Sequence, residues 1–223
     1  MVLSSRRARQ SLVWLHVVTS VGWASMAVAL GVLLATGTVS PPGLGKSGPA
    51  HAADLLDRAV LVPAANAAAV TGFLLAACTS FGYFQRRWVT AKFVLTLGQL
   101  AVGIAVLSPR MPEIVTAADA GRRGPVAIAL AGAVVMGAGL AFQAWVSFVK
   151  PWGRTSFGER GPRLHNAPAW LMNLAVAGPL TDLVLGVVVG APPLFGPIVL
   201  VVALVRRAWA RRLPRLRPAA AVA

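Results

Sequence analysis

Long apolar runs separated by short polar stretches dominate the chain. They cover about residues 11–36, 59–84, 91–108, 126–149 and 169–190, with a shorter Pro-led run at 193–205. A hydrocarbon core about 30 Å thick is crossed by roughly 20 helical residues. The pattern therefore predicts an all-α polytopic transmembrane helical bundle of about six spans. Residues 1–160 form a four-helix membrane core in this reading, and 161–223 a C-terminal helical hairpin with a basic tail. Ala191 and Pro192 make a link short enough for such a hairpin, Pro179 is placed to kink the fifth span, and Pro197 sits near the start of the sixth. A four-span core with a re-entrant C-terminal segment is the alternative. No internal repeat stands out.

Composition supports the membrane reading. The 223 residues are 57% hydrophobic and 12% charged, with a mean hydropathy of +0.72. That is too apolar for a soluble domain or for disorder. The net charge of +15 would suggest nucleic acid on a soluble protein. Here it reads as loop asymmetry, with no nucleic-acid partner expected. One side collects Arg6, Arg7, Arg9, Arg86, Arg87, Lys92, Lys150, Arg154, Arg160, Arg163, Arg206, Arg207, Arg211, Arg212, Arg215 and Arg217. The other has only Lys46, Arg58, Arg110, Arg122 and Arg123, with Asp54, Asp57, Glu113 and Asp119 among its acids. By the positive-inside rule both termini are cytoplasmic, in a multi-pass protein of the inner (plasma) membrane. The first apolar run exceeds the 7–15 residues of a signal peptide and reads as a retained helix. The stretches at about 37–58 and 109–125 read as outer loops, and the basic tail at 206–217 as an anchor attracted to anionic lipid. Cys78, the single cysteine, cannot form an intrachain disulfide.

Polar residues inside spans are costly and tend to face the bundle interior or a cavity. Sorted by depth, His16, Lys92 and Gln143 fall in an inner tier, and Asn66, Gln99 and Asp182 in an outer one. His16, Ser20 and Trp23 share one helix face at i, i+4, i+7 spacing, directed toward spans two to four. Imidazole can ligate haem iron or copper or shuttle protons, or simply hydrogen-bond. Lys92 reads as a snorkelling cation or a ligand group. The Asp182 carboxylate requires protonation or a partner, expected to be Asn66 or Gln99, with Arg58 as the charged option. Nucleotide, zinc-protease and serine-hydrolase signatures are absent.

Four stretches carry a family resemblance. They are Leu15-His16-Val-Val-Thr-Ser20-Val-Gly22-Trp23, then Val62-Pro63 with Thr71-Gly72-Phe-Leu, then Arg87-Trp88-Val-Thr-Ala-Lys92, and finally Val146-Ser147-Phe-Val-Lys150-Pro151-Trp-Gly153-Arg-Thr155-Ser-Phe-Gly158. In this order they resemble a family of uncharacterised actinobacterial integral membrane proteins with a four-helix core, over roughly residues 8–160. A first-span His followed by Gly-Trp, with a third-span Trp-x-x-x-Lys, is more distantly similar to HemJ-type protoporphyrinogen oxidases and to the copper resistance protein D family. That similarity implies haem, with His16 as the haem-side or substrate-side group and Lys92 as its partner cation. The chain departs from these families in lacking a histidine over residues 126–136 and in its last 60 residues.

Three functions compete: a non-catalytic scaffold, accessory subunit or small-solute binder; a haem- or porphyrin-handling redox protein using His16 and Lys92; and a proton-coupled transporter using Asp182. The charge asymmetry yields a direct test of topology. Cysteines placed at Lys46 and at Arg160 should react with an impermeant reagent from opposite sides of the membrane; reaction from the same side overturns the six-span arrangement.

Overall fold

Each apolar run supplies a helix, but residues 79–84 of the second run form a turn after the helix ends at Cys78. The structure, a computed structural model, describes residues 3–41, 43–122, 124–160 and 166–212. His165, Arg163, Arg123, Arg215 and Arg217 lie outside the described residues, as does the tail beyond Arg212. Helix α1 is Ser5–Val39, α2 Leu44–Cys78, α3 Arg87–Asp119, α4 Val126–Val149, α5 the short Ser156–Arg160, α6 Ala169–Val189 and α7 Phe195–Arg212. Five of them, α1–α4 and α6, are long and apolar enough to cross a membrane. The apolar part of α7, residues 195–205, is only about 16 Å long at 1.5 Å per residue. The sixth run is thus a helix that starts deep in the bundle and continues into its arginines.

The bundle is built around α1. Its buried stripe, Leu12, Leu15, Thr19, Trp23, Ala27, Leu30 and Leu34, recurs every three or four residues and faces α2, α4 and α6. Val13, Trp14, Val17, Val21, Val28 and Val32 on the other face are exposed, as a lipid-facing surface requires. At the end where α1 begins, Ala8 and Leu12 pack with Leu74, Cys78, Leu171, Met172, Val199 and Ala203 from α2, α6 and α7. At the opposite end, Leu30 and Leu34 pack with Ala50, Ala53, Met111, Ile114 and Ala118. We call these the basic end and the far end. Between them Trp23 packs on Ala65 and Ala68.

The far end corrects the expectation of loops there. Residues 44–56 and 111–119 are helical continuations of α2 and α3 that pack on each other, and the true connections shrink to 40–43 and 120–125. Alanine is the best helix former, and both stretches are rich in it. His51 and Asp119 pair across this cap at 3.0 Å, and Arg58 pairs with Asp54 one turn earlier.

At the basic end the loops knit together. Arg86 and Arg154 form a β-bridge, Thr155 donates its backbone N–H to the Gln85 carbonyl at 3.1 Å, and Ala167 donates to the Cys78 carbonyl at 2.8 Å. Tyr83, in the turn after α2, donates its hydroxyl to the Phe73 carbonyl at 2.6 Å, and burial pushes its phenol above the ordinary tyrosine range. Arg207 of α7 reaches back to the last carbonyls of α2, Ala76 and Ala77, at 2.6 and 2.7 Å. It therefore acts as a C-terminal cap as well as a topological charge.

Asp182 turns into the bundle and is 7% exposed, but its partners differ from those expected. Neither Asn66, Gln99 nor Arg58 meets it. Its two oxygens accept from three backbone N–H groups at the start of α7: Leu194 at 3.0 Å, Phe195 at 3.0 Å and Gly196 at 2.7 Å. A helix starting inside the bundle exposes N–H donors with no water to meet them, and this carboxylate supplies the acceptors. Gly196 lets the approach happen, because a Cβ there would sit 2.8 Å from Val70 Cγ1 and 3.0 Å from Asp182 Oδ2. Pro179 lies inside α6 without ending it.

Asp182 is thus a helix cap. Asp182→Leu should cost on the order of 3 kcal/mol by leaving buried amides unsatisfied, and Asp182→Asn clearly less. Thermal unfolding of the purified protein checks this; equal stability of the two variants would contradict the cap.

Candidate solute-binding cavity

Two helices carry the same local irregularity at the far end. Residues Asp57–Leu61 of α2 and Gly103–Leu107 of α3 are π-turns, closed by Val62 N–H to the Asp57 carbonyl and by Ser108 N–H to the Gly103 carbonyl. Each is followed at once by a proline, Pro63 or Pro109. A proline within a helix removes one N–H and crowds the carbonyl four residues back. Widening the preceding turn relieves that clash while keeping the helix continuous. The sequence signal is a short repeat, Ala59-Val60-Leu61-Val62-Pro63 and Ala105-Val106-Leu107-Ser108-Pro109, which the reading of the apolar runs did not register. π-turns cluster at functional sites.

The two π-turns flank a partly open cavity of about 120 Å³ between α1, α2, α3 and α4. Its walls are mainly apolar, from Trp23, Leu30, Leu61, Leu100, Ile104, Leu107, Met111 and Met136. Four polar side chains converge on it: Asp57, Asn66, Gln99 and Ser108. Ser108 donates its hydroxyl to Asp57 Oδ2 at 3.3 Å, joining the two π-turns. Asp57 is 6% exposed, although its sequence position suggested an outer loop. Asn66 borders this cavity and a second one of about 260 Å³ between α2 and α6, lined also by Arg58, Pro63, Pro179, Asp182 and Gly186. The second cavity offers less free chemistry, since both oxygens of Asp182 are bound by the α7 amides and Arg58 is paired with Asp54.

The predicted polar tiers regroup. Gln99 belongs with Gln143, not with Asn66 and Asp182. Gln143 donates to Gln99 Oε1 at 2.5 Å, Gln99 donates to the Met136 carbonyl at 3.1 Å, and Thr96 donates to Gln143 Oε1 at 3.0 Å. Toward the basic end, Lys92 donates to Ser147 Oγ at 2.6 Å and Ser147 to the Gln143 carbonyl at 2.8 Å. The result is a continuous ladder between α3 and α4 running from the cavity to Lys92.

His16 points into the bundle but toward α2 alone. Its Nδ1 lies 3.0 Å from the Ala68 carbonyl and 3.1 Å from Thr71 Oγ1. A carbonyl only accepts, so Nδ1 carries the proton. Gly72 makes room for the ring, since a Cβ there would sit 2.9 Å from His16 Cε1. This explains why His16 and Thr71-Gly72 occur together. Lys92 lies within electrostatic reach of the ring. Neither cavity is lined by His16, Ser20, Lys92 or Gln143; of the proposed ligand set only Trp23 reaches one. The Nδ1 bonds to α2 fix the ring of His16 and leave Nε2 as its other nitrogen. Among the described residues no group of three or more His, Cys, Asp or Glu is placed to hold a metal ion.

No known protein family, curated protein or solved structure matches the chain.

The ladder predicts a contrast between two buried amides. Gln143→Leu strips partners from Gln99 and Thr96 and should destabilise the protein by about 1 kcal/mol, a typical value for hydrogen bonds between membrane helices. Asn66→Leu, at a side chain with no hydrogen bond among the described residues, should be near neutral. Thermal unfolding in detergent compares the two, and the reverse order would contradict the ladder.

Proposed function

We propose that this is a multi-pass inner-membrane protein whose work is to bind a small, largely apolar solute in the cavity between the two π-turns. The basic end faces the cytoplasm in this reading, because most of the lysines and arginines gather there. The cavity then lies in the outer half of the membrane. The observation that carries the proposal is the convergence of Asp57, Asn66, Gln99 and Ser108 on an otherwise apolar enclosure. Small-molecule sites have this composition: apolar walls supply affinity and a few placed polar groups fix orientation. The volume is of the same order as an engineered apolar cavity that binds benzene, about 150 Å³.

The geometry favours this over the two other functions. Proton coupling through Asp182 sits poorly with a carboxylate whose position is fixed by three backbone amides. Haem handling through His16 draws no support from the two cavities described, neither of which the ring lines.

Filling the cavity tests the proposal. A Cβ at Gly103 meets nothing within 4 Å, so Gly103→Leu has room to project its side chain inward. In phosphatidylcholine nanodiscs the wild type should bind benzyl alcohol with a dissociation constant on the order of 1 mM, as expected for some eight heavy atoms. The Gly103→Leu variant should lose that binding. Saturation-transfer NMR reads it; signals equal in the two proteins show bilayer partitioning alone and defeat the proposal.

A further inference from the structure

The cavity has a sign as well as a shape. Asp57 is buried at its wall, and among the described residues the only hydrogen bond to its carboxylate is the one from Ser108 to Oδ2. Among the described residues no lysine or arginine lines this cavity. The two nearest in sequence are engaged elsewhere: Arg58 pairs with Asp54, with its side chain 70% exposed, and Arg110 donates to the Val106 carbonyl. Gln99 has both polar atoms engaged, its amide nitrogen on Met136 and its oxygen on Gln143, with one N–H left over. The polar capacity left facing the enclosure is Asp57 Oδ1, the lone pairs of Ser108 Oγ and the Asn66 amide. Acceptors outnumber donors, and the one formal charge is negative.

Resting on the solute-binding reading above, we propose that the ligand is a small amine: a protonated primary amine on an apolar body of about six or seven carbons, its ammonium group seated between Asp57 and Ser108 and its body against Trp23. Each element follows from the wall. An ammonium brings three donors and no acceptor, matching the excess of acceptors. It supplies the counter-charge that a buried carboxylate otherwise lacks. The Trp23 indole, 5% exposed at the cavity's deep end, gives an aromatic surface to the body. A carboxylate ligand of the same size meets the Asp57 carboxylate and is repelled. A neutral alcohol can bond Asp57 but leaves its charge unpaired. The limited volume restricts the body to a single ring or a short branched chain.

The test is a charge series on one carbon frame, using the full chain in phosphatidylcholine nanodiscs: benzylamine, benzyl alcohol and benzoate at neutral pH. Only the part of the signal lost in Gly103→Leu counts as cavity binding. Benzylamine should bind at least tenfold tighter than benzyl alcohol, benzoate should not bind, and Asp57→Asn should erase the preference. The wild-type series stands alone if Asp57→Asn does not fold, as judged by circular dichroism and size exclusion. Cavity binding in which benzyl alcohol equals or exceeds benzylamine overturns the amine while leaving the solute site intact. Amine binding unchanged by a folded Asp57→Asn overturns the assignment to Asp57. No Gly103-sensitive binding by any of the three removes the solute site and the amine with it.

Discussion

Inside hydrocarbon a backbone amide or carbonyl without a partner costs several kcal/mol, and no water is present to supply one. Most of the architecture answers that constraint at the places where a helix starts, stops or meets a proline. Helix α7 starts within the bundle, and Asp182 of α6 accepts from its first amides. Helix α2 stops at the basic end, and Arg207 of α7 donates to its last carbonyls. The two caps are reciprocal: α6 holds the start of α7, and the end of α7 holds α2. A short, arginine-rich helix that fails the length test for a span is fixed at both ends by charged side chains in this way.

The same constraint produces the cavity. Pro63 and Pro109 each remove a helical hydrogen bond, and the chain absorbs the loss by widening the preceding turn rather than breaking. A π-turn displaces the residues on either side of it from the regular helical face. Where two such turns stand opposite each other, the apolar walls cannot interlock fully. The hydrogen bond from Ser108 to Asp57 ties the two irregular turns together beside the space so formed. The opening lies beside two prolines at matching positions of neighbouring helices.

The bundle of long apolar helices was legible in the hydropathy pattern, because span length is a one-dimensional quantity, although five helices and not six are long and apolar enough to cross a membrane. The contacts were not. Depth placed Gln99 beside Asn66 and Asp182, but helix rotation pairs it with Gln143. Asp182 was rightly given a place inside the bundle and wrongly given side-chain partners, since nothing in its neighbourhood along the chain marks a helix start twelve residues later as its acceptor's target. Asp57 was hidden by its surroundings: Pro49, His51, Asp54 and Arg58 read as a polar loop, yet the alanines among them carry the helix on. The short Ala-Val-Leu-x-Pro repeat was the one available signal for the cavity, and it lay at the edges of two apolar runs.

The polar ladder between α3 and α4 bears on what kind of site the cavity is. A route for ions or protons through the bundle needs groups that change partners or charge as the cargo passes. Below the cavity the chain meets Gln99, Gln143 and Ser147 before reaching Lys92. Both glutamines are neutral, and the oxygen and nitrogen of each already have partners, save one donor hydrogen per amide. Such a ladder holds two helices in register and closes the floor of the cavity with bonded amides. The cavity therefore has bonded amides toward the basic end and the Asp57 carboxylate toward the far end, which supports the proposal of a binding site over that of a passage.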